Sequence, residues 1–148
     1  YARIHFERLG LRVNVLRSPF EAELAKLFET TYRALMIAWF QEMHRISIAH
    51  KADFDQIVDF LEDTHRVRLD RPILFPSVIG GHCLIPNAHL LLKSYDSKFV
   101  KLILESNEKR KDEIRDAEVL ADIEKTRRRV ENLNKDLNIK KAPFNPTT

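Results

Sequence analysis

An all-α domain is the fold this sequence predicts, and three observations carry it. Only 3 of the 148 residues are glycine, while 44% are hydrophobic and 32% charged, the balance of a helix-rich globular chain. Two helix-start signatures, Ser18-Pro19-Phe20-Glu21 and Asp53-Phe54-Asp55-Gln56, each open an apolar run. Towards the end, Val119, Ile123, Thr126, Val130, Leu133 and Leu137 recur at alternating spacings of four and three, which draws one stripe along an amphipathic helix.

Taken in order, Leu11 to Leu16 alternates apolar and polar residues loosely enough to predict a short strand. Ser18 then supplies an N-cap, Pro19 an N1 proline and Glu21 a capping-box acid, and a helix is expected from there to about Lys51. Leu24, Leu27, Phe28, Thr31, Leu35, Ala38 and Met43 fall broadly on one stripe, and Ile37, Trp39, Phe40 and Ile46 widen it. That is too broad for one intramolecular face, so this helix is expected to make a homodimer interface. Asp53 caps a second helix with Phe54, Ile57, Val58 and Leu61 inward, and His65 to Pro76, with two prolines, breaks regular structure. A short helix follows from Pro86 to Lys93. Ser97 caps a further long one, with Val100, Ile103 and Leu104 apolar. The expected organisation is thus 1–17 as strand and linker, 18–112 as a helical domain, 113–139 as an amphipathic C-terminal helix packed across it, and 140–148 as a flexible tail.

Composition narrows the function. The chain is long enough for one core. It holds no apolar stretch of membrane-spanning or signal-peptide length, and a single cysteine suits a reducing compartment, so a cytoplasmic location is expected. Lys and Arg total 25 against 22 Asp and Glu, and the clusters Lys109-Arg110-Lys111 and Arg127-Arg128-Arg129 are interleaved with acids and lack stacking aromatics. They read as solvated helix faces rather than a nucleic-acid groove. His44 and His50 lie on different helix faces, and His82, His89 and Cys83 lack zinc-site spacing, so no metal is expected.

The chemistry concentrates at Gly80-Gly81-His82-Cys83. Two glycines let the backbone turn sharply and approach a ligand, and a helix opened by Pro86 would present an N-terminal dipole that favours a thiolate. Cys83 is therefore a candidate nucleophile. A buried, inert thiol is the other reading of an isolated cysteine.

Glu21 to Leu35, then Ile37-Ala38, Gln41-Glu42 and the Gly80-Gly81-His82-Cys83 run together resemble the central domain of the UDP-glucose/GDP-mannose dehydrogenase family. The resemblance spans roughly residues 8 to 110, and two motifs in register are far more specific than either alone. It implies an all-helical domain like the C-terminal domain of 6-phosphogluconate dehydrogenase, with one long dimerisation helix. It also implies an NAD-dependent enzyme that oxidises the primary alcohol of a nucleotide-linked sugar twice, by way of a cysteine thiohemiacetal and thioester, in polysaccharide biosynthesis. The matching nucleophile is Cys83, and Lys26 matches the lysine that stabilises the oxyanion. Gly80, Gly81 and His82 fall in the sugar-binding loop, and Arg66 and Arg68 lie where the family often has a substrate-binding arginine, at a different offset from the cysteine.

The departures are informative too. Thr30 stands where the family has an asparagine, and Asn87 where it has an aspartate that assists proton transfer; a carboxamide accepts no proton near neutral pH. No Gly-x-Gly-x-x-Gly run is present, so the NAD site implied by the resemblance is not expected in this chain, whose first residues look like the last piece of a missing dinucleotide domain. Alone, the chain is expected to be inactive. The alternatives are a dimerisation or interaction module without chemistry, and a sugar-nucleotide-binding remnant.

Overall fold

The computed structural model describes residues 1–137; the tail expected over 140–148 lies outside the described residues. The described residues form six helices, α1 (Ala2–Arg8), α2 (Pro19–Ala49), α3 (Phe54–Arg68), α4 (Leu84–Ser94), α5 (Lys98–Glu113) and α6 (Ala117–Asp136), and no strand. The fold is all-α. The strand expected over 11–16 is absent and α1 precedes it, because an isolated extended segment has no ladder to join in a helical chain. Residues 1–17 are exposed except for half-buried Val13.

Helix α2 is the axis, packing most extensively against α4 and α5, while α6 lies on α3. Ser18 is its N-cap and Pro19 takes the first turn, but the Ser18 hydroxyl donates to the Glu21 carboxylate rather than capping a backbone N–H. The buried face differs from the expected stripe. Thr30, Ala34, Ala38, Gln41, His44 and Ser47 point inward together with Phe40, whereas Phe28, Leu35, Trp39 and Ile46 are exposed. Small and polar residues let α4 and α5 approach the α2 backbone closely, and bulky side chains are left for the outside.

Asp53 caps α3 by accepting from the Asp55 N–H. Phe54 and Val58 face the core as expected, but Ile57 is exposed. The helix also continues past His65 to Arg68, because His65 is buried and its Nδ1 accepts from the Arg71 N–H, which carries the helical turn into the loop. Helix α4 starts at Leu84, two residues before Pro86. A proline fits that first turn because its missing N–H would have had no helical acceptor.

Helix α6 follows its sequence pattern closely. Val119, Ile123, Thr126, Val130 and Leu133 are all buried, and Val130 and Leu133 join Phe40, Phe54, Val58 and Ile73 in one core cluster. The rim is ionic. Arg129 reaches Asp55, Asp59 and Glu62 on α3, and Arg66 links Glu62 to Asp136. Arg129, Asp55 and Glu62 are partly buried in this rim, and beneath it the apolar cluster keeps water out of the helix contact. Leu133→Ala is therefore expected to cost about 3 kcal/mol, read as a lower urea midpoint followed by circular dichroism.

Candidate functional site

The segment from Leu69 to Cys83 has no regular structure, so side chains from the helices fix its path. Leu69 ends α3 in the left-handed region at φ 55°. Ile73 and Ile79 are buried in separate core clusters, Gln41 Nε2 donates to Ser77 O at 2.7 Å, and Ile79 N donates to Asn107 Oδ1 at 2.7 Å. Beyond these anchors Gly81 adopts φ 86°, a conformation that excludes most side chains, and the chain enters α4 with half-buried Cys83 as its N-cap. His82 is exposed.

Two of the predicted site residues meet directly. Asn87, one turn into α4, donates from Nδ2 to the Thr30 hydroxyl on α2 at 3.1 Å, and the backbone N–H of Asn87 donates to Cys83 O at 2.9 Å. The Thr30 hydroxyl in turn donates back along α2, 3.0 Å from both Lys26 O and Leu27 O. Thr30 is buried. Thr30 and Asn87 thus satisfy each other and tie the cysteine's helix to α2. Neither group takes up a proton near neutral pH.

Other candidates sit apart. The Lys26 ammonium is exposed and pairs with Glu29 at 3.1 Å. Arg66 is held by Glu62 and Asp136, and Arg68 lines a groove on the outer side of α3 with Phe60, Thr64 and Val67; the structure does not bring either to the Gly80–Cys83 loop. One residue that the sequence reading passed over does reach it. Arg33 lines a cleft with Ile37, Phe75, Ser77, Gly80 and Leu84, and its place three residues beyond Thr30 was the available signal, since residues three apart share a helix face. The cleft encloses about 40 Å³, room for a few waters and far below the several hundred Å³ of a small-molecule site.

Behind the loop lies a polar layer that the sequence reading also missed. Arg110, expected on a solvated face, is fully buried with Asn107, Gln41 and His44. Burial lowers the Arg110 pKa to about 10, with Glu113 opposing the fall, so the guanidinium stays charged at neutral pH. Its position continues the buried series Val100, Ile103 and Asn107, but only the first two are apolar, so the stripe fades in the sequence before it reaches Arg110.

Among the described residues no group of three potential ligands is placed to hold a metal ion, and no helix is long and apolar enough to cross a membrane. The residues present also do not fit a dinucleotide cradle, since the sequence has no glycine-rich fingerprint and the described residues form no strand to carry one.

Thr30→Val leaves the Asn87 amide without its partner on α2, an expected loss of about 1 kcal/mol. Alkylation of Cys83 by iodoacetamide is expected to quicken as the first turn of α4 loosens, whereas Thr30→Ser, which keeps the hydroxyl, leaves the rate unchanged.

No solved structure matches the chain. The model of the UDP-glucose/GDP-mannose dehydrogenase family, central domain, matches residues 20–109. That span holds α2 to α4 and most of α5, and with them the pinned loop, the Cys83 N-cap and the Thr30–Asn87 contact. The chain belongs to the UDP-glucose/GDP-mannose dehydrogenase family, and residues 20–109 are its central domain.

Proposed function

We propose that this chain is the dimerising and thiol-bearing part of a nucleotide-sugar 6-dehydrogenase-like protein, and that by itself it does not oxidise a sugar. The observation that carries this reading is the placement of Cys83 at the start of α4, on a loop anchored to α2 and α5 and beside the Thr30–Asn87 contact. In this role Cys83 adds to an aldehyde carbon: the S–C bond forms, the carbonyl π bond becomes an oxyanion, and the thiol proton ends on that oxygen. Lys26, on an exposed turn of α2, supplies positive charge from the solvent side, and Arg33 supplies it from the cleft beside Gly80. A nucleotide-sugar ligand is the substrate class proposed. Its site needs walls beyond the 40 Å³ cleft, and the NAD implied by the family has to be held by another domain.

Dimerisation rests on the outer face of α2. Phe28, Tyr32, Leu35, Trp39 and Ile46 are exposed at 55, 62, 39, 53 and 46%, and their spacing of three, four or seven draws one apolar stripe along the helix. A second helix of the same kind covers such a stripe.

One observation favours a second reading, that of an interaction module without chemistry. Thr30 and Asn87 are spent on each other, and with no proton acceptor there the release of a thioester by water is slow.

Three measurements separate the readings. Sedimentation equilibrium at micromolar concentration is expected to return a dimer, and Trp39→Asp a monomer of unchanged helicity. Adding NAD and UDP-sugars to the purified chain is expected to yield no NADH; activity that appears only with a separately supplied dinucleotide domain, and is lost in Cys83→Ala, supports the dehydrogenase reading. A dimer that binds no nucleotide sugar in calorimetry supports the interaction module.

A further inference from the structure

We propose that the relay from Asp122 through His44 to Arg110 is a pin by which α6 holds the Cys83-bearing loop in place, and that acid breaks this relay at the His44–Arg110 contact. His44 is fully buried on α2. Its Nδ1 lies 3.0 Å from Arg110 Nη1 and its Nε2 lies 3.1 Å from Asp122 Oδ2 on α6. A guanidinium only donates, so Nδ1 accepts from Arg110 and the proton sits on Nε2, which donates to Asp122. Arg110 also donates through Nη2 to Gln41 O at 2.9 Å. The Gln41 side chain then donates to Ser77 O at 2.7 Å and accepts from the Ser106 hydroxyl at 2.6 Å. Asn107, one turn before Arg110, holds Ile79. A continuous run of polar groups thereby joins α6 to the loop six residues before Cys83. Helix α6 lies beyond the span that matches the family's central domain, so the pin joins the matched domain to a helix outside it.

Acid acts at one atom. A second proton on the imidazole has to go on Nδ1, where it faces the Arg110 N–H and brings two cations together away from water. The charged groups around His44 are Glu42 and Arg45 on α2, Arg110 and Glu113 on α5 and Asp122 on α6, while α3 contributes the Phe54 ring at 4.9 Å. Burial pushes the imidazole pKa below its usual value; the Asp122 hydrogen bond opposes this, and the charge of Arg110 reinforces it. The folded state therefore binds the proton less readily than the unfolded chain. The contribution is whole above the unfolded imidazole value of about 6.5 and is lost as pH falls below it.

The proposal does not rest on the dehydrogenase chemistry, because its readouts are amide exchange and thiol access. In wild type, exchange in α6 and in residues 77–83, corrected for its intrinsic pH dependence, is expected to rise together as pH drops from about 8 to about 5. His44→Gln offers an N–H to Asp122 and an oxygen to Arg110 but does not titrate, so its corrected exchange is expected to stay flat. At neutral pH, Asp122→Ala is expected to raise both loop exchange and Cys83 alkylation by roughly fivefold, and Asp122→Asn, whose Oδ1 still accepts, to restore them. An acid response of equal size in His44→Gln overturns the proposal. So does Asp122→Ala if it loosens α6 and leaves the loop and Cys83 unchanged. If Asp122→Ala fails to fold, the comparison of wild type with His44→Gln decides.

Discussion

Arg110 carries a permanent charge to a place without water, and the junction of α2, α5 and α6 is arranged around it. Two of its donors are met by His44 Nδ1 and Gln41 O, while Nε, 3.1 Å from Glu113, makes an ion pair without a hydrogen bond. An apolar contact tolerates a small slide or rotation of one helix on another, but a guanidinium facing a ring nitrogen and a carbonyl tolerates neither. Removing either partner strands a buried charge, which costs far more than the pair contributes. The register of α5 on α2 is set there. The loop inherits that register, because Gln41 and Asn107, which hold Ser77 and Ile79, belong to the same layer.

The same constraint explains the two faces of α2. Close approach of α4 and α5 requires a shallow inner surface, supplied by Thr30, Ala34, Ala38 and Ser47. Bulky apolar side chains have no room there and are turned outward at Phe28, Tyr32, Leu35 and Trp39. What looks from composition like surplus core is displaced core, laid out as an apolar stripe on the outer face of α2.

How far the sequence can be read depended on how local the determinant was. The heptad-like stripe of α6, the Asp53 and Ser97 caps and the long span of α2 follow from spacing and capping within a few residues of each other, and the structure has them. The inner face of α2 was not legible, because which side of a broadly apolar helix is buried depends on neighbours distant in sequence. Arg110 was hidden between Lys109 and Lys111 for the same reason: its acceptors come from a helix 66 and 69 residues away. The alternation over 11–16 builds no strand because the described residues offer it no partner to pair with. At the site, Thr30 and Asn87 were legible as departures from the family, but their mutual contact across 57 residues was not.

Pro86 removes an amide proton from the start of α4. The first four N–H groups of a helix, that of the N-cap included, have no acceptor among its own carbonyls, and in α4 those positions are Cys83, Leu84, Ile85 and Pro86, of which the last has none to turn. The next amide, Asn87, is already bound to Cys83 O. The helix therefore begins with three outward amide hydrogens, that of its cysteine among them, instead of four. An oxygen atom that arrives there carrying negative charge has at most three backbone donors from this turn, and any fourth must come from a side chain or from another chain.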